Sequence, residues 1–364
     1  MPEATAHEKY ECPGCGADAH WNPTKTSLVC PYCGTVSPAT LNSETGQVQE
    51  NDLVEALRSL PADHRGWQIA KISVLCQSCK AVSVFAPERV AQRCDFCGSA
   101  QIVPQEQVRS PIRPESVLPF HIGEPQVREQ IRSWYASRWF APDKLKTSAM
   151  TDTVKGLYLP YWTFDAQADS DWTAEAGYYY YESESYRDSN GQTKTRQVRK
   201  TRWQWASGRV GHFFDDELVS ASKGADPELL RQIEPFPTKQ LVPYDPGYVA
   251  GWVVEQYQID LISAAQHSRS RMDAEMRSLC ASDVPGDTHR NLSVKTRYSR
   301  QTFKHVLLPI WLLTYTYGSR SFQVIVNGHT GEIAGKRPWS AVKLFFLVLG
   351  IALAGMLIAL VSQR

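Results

Sequence analysis

Cys12-Pro-Gly-Cys15 is answered fourteen residues later by Cys30-Pro-Tyr-Cys33, and Cys76-Gln-Ser-Cys79 is followed at the same interval by Cys94-Asp-Phe-Cys97. Eight of the nine cysteines are used this way, and Cys280 is left over. A CxxC turn puts two thiolates on one side of a tight knuckle. Two facing knuckles supply four sulfurs in a tetrahedron, the closed arrangement that structural zinc prefers. Gly16, Gly34 and Gly98 follow the second cysteine of their knuckles, where a missing Cβ lets backbone N–H groups turn toward sulfur. Lys80 stands in that place in the remaining knuckle. The spacing predicts one Zn2+ on Cys12, Cys15, Cys30 and Cys33, and a second on Cys76, Cys79, Cys94 and Cys97. Iron in a rubredoxin-like site is the alternative metal.

Other uses of these cysteines fit less well. Disulfides need an oxidising compartment, and Met1-Pro-Glu-Ala-Thr-Ala-His7 has neither the basic start nor the apolar run of an export signal. A thioredoxin-type CxxC sits singly at a helix start, not in matched pairs. Each ribbon has about thirty residues and little core, so metal binding, on the order of 10–16 kcal/mol at such sites, must drive its folding.

The 364 residues allow two or three domains, and a net charge of +1 creates no global field toward nucleic acid or acidic lipid. Eleven Trp and sixteen Tyr suit β-structure with large cross-strand side chains. At the far end, Leu344 to Val361 carry no charge and no strongly polar group. As a helix this run spans about 27 Å, close to the roughly 30 Å of a bilayer core. Lys336, Arg337 and Lys343 precede it, which by the positive-inside tendency places the body in the cytoplasm and the tail in the inner membrane. The expectation is a single-pass tail anchor with the bilayer as a partner. Gly350, Ala354, Gly355 and Ala359 are spaced to permit helix dimerisation, hence a homo-oligomer.

The fold class expected is therefore multidomain: two small β zinc ribbons, one α+β domain with long β-hairpins, and one C-terminal transmembrane helix. The divisions are 1–45 for the first ribbon, 46–70 for a short helix and linker, 71–104 for the second ribbon, 105–116 for a Pro-containing linker, 117–340 for the α+β domain and 342–361 for the membrane helix. Asn51 or Asp52 caps a helix over 53–60. Glu124 to Phe140 and Asp260 to Ala281 have helical periodicity, and Cys280 in the latter reads as a small core residue. Tyr158-Leu-Pro-Tyr-Trp162 and Leu307-Leu-Pro-Ile-Trp311 echo each other, with Leu118-Pro-Phe120 and Val242-Pro-Tyr244 as weaker relatives. This suggests a duplicated strand unit, although such phrases also begin unrelated strands. Proline belongs at a strand start or edge. Asn190-Gly191 marks a hairpin tip, and a two-residue loop there sets Glu182 opposite Arg199 and Tyr178 opposite Trp203.

Catalytic signatures are missing. Gly331-Glu-Ile-Ala-Gly335-Lys336 is one residue too short for a phosphate loop, and Arg337 replaces the Ser/Thr. No nucleophile elbow or zinc-protease motif occurs, so a non-enzyme is expected. Residues 1–110 carry a formal charge of −3. Two zincs with eight thiolates bring this to about −7, which opposes phosphate, so the ribbons are expected to bind protein. Lys194, Arg196, Arg199, Lys200 and Arg202, beside Trp203 and Trp205, form the better nucleic-acid candidate; a self-neutralised hairpin or a lipid-headgroup patch are the competing readings.

Taken together, the paired CxxC knuckles, Tyr158-Leu-Pro-Tyr-Trp162, the stretches 241–261, 305–317 and 326–340, and the apolar C-terminus make the chain resemble bacterial zinc-ribbon membrane proteins. These are often labelled primosomal protein N′-like or transcription-factor-IIB-type zinc ribbon proteins. The resemblance covers nearly the whole chain, and only the eight cysteines carry over by position. It implies a membrane-anchored scaffold or adaptor working with flotillin-like or phage-shock-type partners. The alternative is a membrane-tethered nucleic-acid-binding protein. The primosomal label implies a helicase, from which this sequence departs, having no Walker A loop.

Overall fold

The computed structural model describes residues 10–37, 48, 50–59, 72–85, 94, 96, 99, 102–105, 112–139, 154–187, 192–317, 320–338 and 340–362. The N-terminal ribbon is a three-stranded sheet of β1 (His20–Asn22), β2 (Ser27–Val29) and β3 (Val36–Ser37). Then β4 (Asn51–Asp52) leads into α1 (Leu53–Ser59), where the Asp52 carboxylate accepts from the Glu55 N–H and caps the helix. The second ribbon contributes β5 (Ile72–Cys76), β6 (Val82–Phe85) and β7 (Ile102–Gln105). The body follows as β8 (Ser116–Val117), α2 (Glu124–Ala136), β9 (Lys155–Arg187), β10 (Thr193–Ser220), α3 (Pro227–Gln232), β11 (Val242–Pro243), β12 (Val253–Glu255), α4 (Leu261–Asp283), β13 (Thr288–Tyr317), β14 (Arg320–Asn327) and β15 (Ile333–Gly335). The helix α5 (Ala341–Ser362) closes the chain.

One twelve-stranded mixed sheet holds most of this together, with a path β11-β8-β13-β9-β12-β6-β5-β7. Two β-α-β-β units interleave in it: β8-α2-β9-β10 and β12-α4-β13-β14. Each unit's first strand runs parallel to the other unit's long strand, Val253 beside Leu157 and Val306 beside Ser116. The two long strands then pair antiparallel, with Leu307 opposite Pro160 and Pro309 opposite Tyr158. The echoed Leu-Pro phrases are thus neighbours at the centre of the sheet, not at strand starts or edges. The structure shows why proline is tolerated there. Next to Pro160 the outer neighbour of β9 changes from β12 to β10, and next to Pro309 that of β13 changes from β8 to β14. Each proline sits in a gap where no ladder N–H is required, while its carbonyl still accepts, from Ala221 N–H and Gly328 N–H respectively.

The core lies on both sides of these central strands. Trp162, Tyr158, Tyr161 and Phe164 are fully or almost fully buried. Phe120 stacks on Trp252 at 4.2 Å and meets Trp311 edge-on, and the Trp311 indole N–H donates to the Ile122 carbonyl. In α2, Val127, Ile131 and Tyr135 face this cluster. The expected helix over 124–140 is shorter at its C-terminal end, where Ser137 caps it.

Beyond the core, β10, β9 and β13 continue as a three-stranded blade as far as Gly177, past which β9 and β10 run on as a two-stranded hairpin. The 33 residues of β9 make a strand of about 110 Å. Small residues at alternate positions, Ala166, Ala168, Ser170, Ala174 and Ala176, let α4 lie close across one face. Leu261, Ala264, Met272 and Met276 are buried against it, each worth roughly 1.5–3 kcal/mol for the larger side chains. Cys280 is buried with Trp172 and Ala174, and the Trp172 indole N–H donates to Asp283. Asp260 caps the helix by accepting from Ser263 N–H.

The hairpin of β9 and β10 is present, but its register differs by one residue from expectation. Glu182 faces Val198, Arg199 faces Tyr181, and Trp203 faces Gly177. This pairing places an odd number of residues between the last partners, which a two-residue Asn-Gly loop cannot supply. Asn190 and Gly191 themselves lie outside the described residues.

A second correction concerns the tail. Among the described residues no helix is long and apolar enough to cross a membrane. The helix α5 runs over Ala341–Ser362, and Lys343 occupies its first turn. The finding overturns the expected transmembrane helix and the single-pass inner-membrane location derived from it.

The ribbons are not separate heads. Val254 and Glu255 of β12 pair with Val84 and Ser83 of β6, so the second ribbon extends the main sheet. Phe96, inside its last knuckle, is fully buried, and its carbonyl accepts from Thr314. The first ribbon docks through Trp21, whose backbone N–H donates to the Ala250 carbonyl and whose ring meets Tyr248 at 4.8 Å.

Candidate functional site

Each cysteine knuckle is built by the same backbone bonds. The N–H groups of Cys12, Cys30, Cys76 and Cys94 donate to the carbonyls of Ala17, Thr35, Ala81 and Ser99, five residues on in every case. The N–H groups of Gly16, Gly34 and Lys80 return to the carbonyls of Cys12, Cys30 and Cys76. This closing turn needs a left-handed residue, and Gly16 (φ 71°) and Gly34 (φ 73°) supply it as the sequence suggests. Lys80 adopts the same conformation at φ 65°, so the knuckle survives the substitution at the cost of local strain.

In the first ribbon the Sγ atoms of Cys12, Cys15, Cys30 and Cys33 all lie within 4.8 Å of one another, with Cys12–Cys33 and Cys15–Cys30 at 3.5 Å. A tetrahedron with metal–sulfur bonds of about 2.3 Å has edges of about 3.8 Å, so four sulfurs at these separations can hold one ion. Gly14 N–H donates to Cys12 Sγ at 3.3 Å, and the Thr35 hydroxyl lies 3.1 Å from Cys33 Sγ. Without a cation the thiols divide. The bond from Thr35 pulls Cys33 down to about 6. Cys15, despite the Ala17 N–H, is pushed up to about 12 by the sulfurs of Cys30 and Cys33. Four thiolates at this spacing repel one another unless a metal compensates them.

In the second ribbon Cys76, Cys79 and Cys94 converge likewise, with Cys79–Cys94 at 3.6 Å and Phe96 N–H on Cys94 Sγ at 3.4 Å. Cys97 lies outside the described residues. Both groups can hold metal ions. The buried sulfurs of Cys76 and Cys94 pack within the main core cluster.

The glycine-rich turn after β14 is not an anion cradle. Asn327 is buried, its Oδ1 accepts from the His329 and Thr330 N–H groups, and its Nδ2 donates to the Ile233 carbonyl. Gly331, at φ 82°, donates to the Asn327 carbonyl. The donors that a phosphate would need are consumed within the turn.

Sequence reading missed a buried ionic cluster at the base of the blade. Lys304 Nζ lies 2.6 Å from Asp216, 3.3 Å from Glu50 and 4.0 Å from Asp165. Thr302 Oγ1 bridges Glu50 and Asp165. Bulges in both neighbours of β9, between Phe214 and Glu217 and between Ser299 and Thr302, meet at this level. Their left-handed residues are Asp216 and Arg300. Burial holds the Asp165 carboxyl above its usual range. Against the effect of burial, the hydrogen bond to Asp216 raises Lys304. No local sequence spacing brings together residues 50, 165, 216 and 304. Nearby, Glu115 accepts from His305 N–H at 2.6 Å and from Asn51, and burial pushes its carboxyl up to about 7. His305, buried against Trp162, falls to about 4, with Nδ1 on the Ile112 carbonyl.

Along the blade the strands carry opposite charges. From Gly156 to Tyr186, β9 has six acidic residues and no Lys or Arg. From Thr193 to Phe214, β10 has six Lys or Arg and no acid, and from Thr288 to Gln301, β13 has four and none. Arg209 and Arg297 both bind Asp171, Arg290 binds Glu175, and Lys200 binds Glu182. The predicted basic cluster is thereby placed on β10, partly neutralised by β9. Arg199 stacks on Tyr179 at 4.2 Å. Trp205 and Tyr181 remain 71% and 65% exposed.

No protein-family model matches this chain, and no solved structure matches it. A protein of Bacillus subtilis (strain 168), described as uncharacterized protein YdjG, is 25% identical over 349 residues, which cover 94% of each chain. The chain is similar to that protein along nearly its full length.

Proposed function

We infer that this protein is a non-catalytic scaffold in which two structural zinc ions fix the ribbons to the central sheet and the blade presents a surface to a partner protein. Closed all-cysteine sites favour zinc in a structural role, since they leave no open coordination position. The observation that carries the scaffold reading is the blade itself: an element extending far past the core, three-stranded to Gly177 and two-stranded beyond, with exposed aromatics and two long outer edges that no strand pairs among the described residues. Exposed aromatic and arginine side chains of this kind are the usual anchors of protein interfaces. The resemblance noted from sequence suggests flotillin-like or phage-shock-type proteins as the partner. Nucleic acid fits less well, because Asp169, Asp171 and Glu175 run along the middle of the open blade face.

Two measurements test this. Metal analysis of the purified chain is expected to give about two zincs; iron, or no metal with all thiols free, overturns the zinc assignment. Photo-cross-linking amino acids at Tyr181 and Trp205 are expected to capture a discrete protein adduct in cells, while one at Tyr32 on the first ribbon does not. Adducts at Tyr32 alone, or nucleic acid captured from the blade, overturn the scaffold reading.

A further inference from the structure

We propose that the outer edge of β10, from Lys194 to Trp205, receives an extended segment of the partner that alternates acidic and apolar side chains, adding it as a third strand to the hairpin of β9 and β10. The proposal rests on the scaffold reading and names the chemistry of the partner.

Three observations converge on it. First, the edge is open: β10 pairs with β9, and no other strand pairs with it among the described residues. A strand edge offers alternating N–H and C=O groups to any extended backbone, which is the basis of strand addition. Second, from Lys194 to Trp205 β10 carries five Lys or Arg and no acid, and the acids beside it on β9, Glu182 and Glu184, lie on its inner side. The next strand outward from β10 is therefore favoured when acidic. A second copy of this edge would bring five cations against five, so pairing between copies is opposed. Third, the two sides of this segment differ. Lys194, Arg196, Lys200 and Arg202 share one face of the ribbon, whereas Trp203 and Trp205 share the other with Arg199. Cross-strand neighbours stand on the same face, so an incoming strand with carboxylates on one side and apolar groups on the other meets both. The face of β10 toward α4 is occupied from about Ala206 onward, which limits the window to roughly a dozen residues.

A nucleic acid could use the same cations and tryptophans, but it would leave the backbone edge unused and would lie over the acidic row of β9. It is therefore an outcome of the test. The probe is a fluorescent twelve-residue peptide of alternating Glu and Val, titrated into the full metal-loaded chain by anisotropy. Binding is expected, with no binding of the Lys-Val counterpart. Arg196→Glu combined with Arg202→Glu, both exposed and on the cationic face, should weaken it by roughly a hundredfold. Charge alone would give the same result, so the backbone is probed separately. The Glu-Val peptide is N-methylated at every second residue, in each of the two phases. Strand addition uses one edge of the peptide, so one phase should bind and the other should not. Amide exchange should slow within 194–205. Equal binding of both phases, no binding of the parent peptide, or displacement by oligo(dT) of twenty nucleotides at lower concentration overturns the proposal. If the Trp205 cross-linker captures a protein that the Glu-Val peptide fails to displace, the scaffold reading stands and the edge proposal falls.

Discussion

Removing the Phe96 ring tests whether the second ribbon is part of the core. The ring has no exposure and packs in the cluster that includes Leu157, Leu159 and Leu308. Gly224 closes over it: a Cβ there would stand 2.6 Å from the Phe96 ring and 2.7 Å from the Ala81 Cβ. Phe96→Ala should cost about 3–5 kcal/mol, as a lost aromatic ring plus the cavity it leaves. Gly224→Ala should cost about 1–3 kcal/mol by overpacking the same place from the other side. In the double variant the new methyl enters the vacated space. The combined cost should fall below the sum by about 1–2 kcal/mol. The readout is the rate at which a chromogenic chelator withdraws metal, measured where release follows local opening. At about 1.4 kcal/mol per factor of ten, Phe96→Ala should speed the phase belonging to the second site by two to three and a half orders of magnitude. The phase belonging to Cys12, Cys15, Cys30 and Cys33 should move far less, since Phe96 is in a different cluster from Trp21. An unchanged second phase, or strict additivity of the two substitutions, would refute the view that this packing holds the ribbon.

Cys12→Ser should lower the metal content from about two to about one and expose Trp21, read as a red shift in tryptophan emission, while leaving the second site loaded. Lys80→Gly should relieve the left-handed strain at φ 65° and stabilise the second ribbon by up to about 1 kcal/mol, seen as slower metal release. Lys304→Met should destabilise by about 3–5 kcal/mol in chemical denaturation, because Asp165 and Asp216 are left facing each other without a cation; adding Asp165→Asn and Asp216→Asn should recover much of it. Burial raises the Glu115 carboxyl from 4.5 to about 7, so its contribution is fully present below pH 4.5 and is lost as pH rises through 7, on the order of 3 kcal/mol. Glu115→Gln should flatten the stability profile in that window, and an unchanged slope would show that another group sets it.

The metal knuckles were legible because their information is local. Four cysteines, a spacing and a following glycine specify a turn, and seven of the eight residues are seen to converge as the spacing requires. The helices capped by Asp52 and Asp260 were legible for the same reason. What escaped was non-local. The Leu-Pro echo was visible, but not that its two copies pair with each other, since only the exchange of neighbours at Pro160 and Pro309 makes a central proline acceptable. Hairpin register failed by one residue because the loop length was taken from Asn-Gly alone. The tail was read from composition alone, and among the described residues no helix is long and apolar enough to cross a membrane. The Lys304 cluster draws on four distant segments, and no pattern in any of them announces it.

The coincidence of bulges around Asp165 has a mechanical side. From there to Arg187 the blade runs about 70 Å at 3.3 Å per residue. A tilt of about 10° at the base sweeps the tip through about 12 Å, more than the width of two strands. Lys304 therefore sits at the base of a long arm, where geometry alone would magnify any tilt into a large displacement at Tyr181 and Arg199.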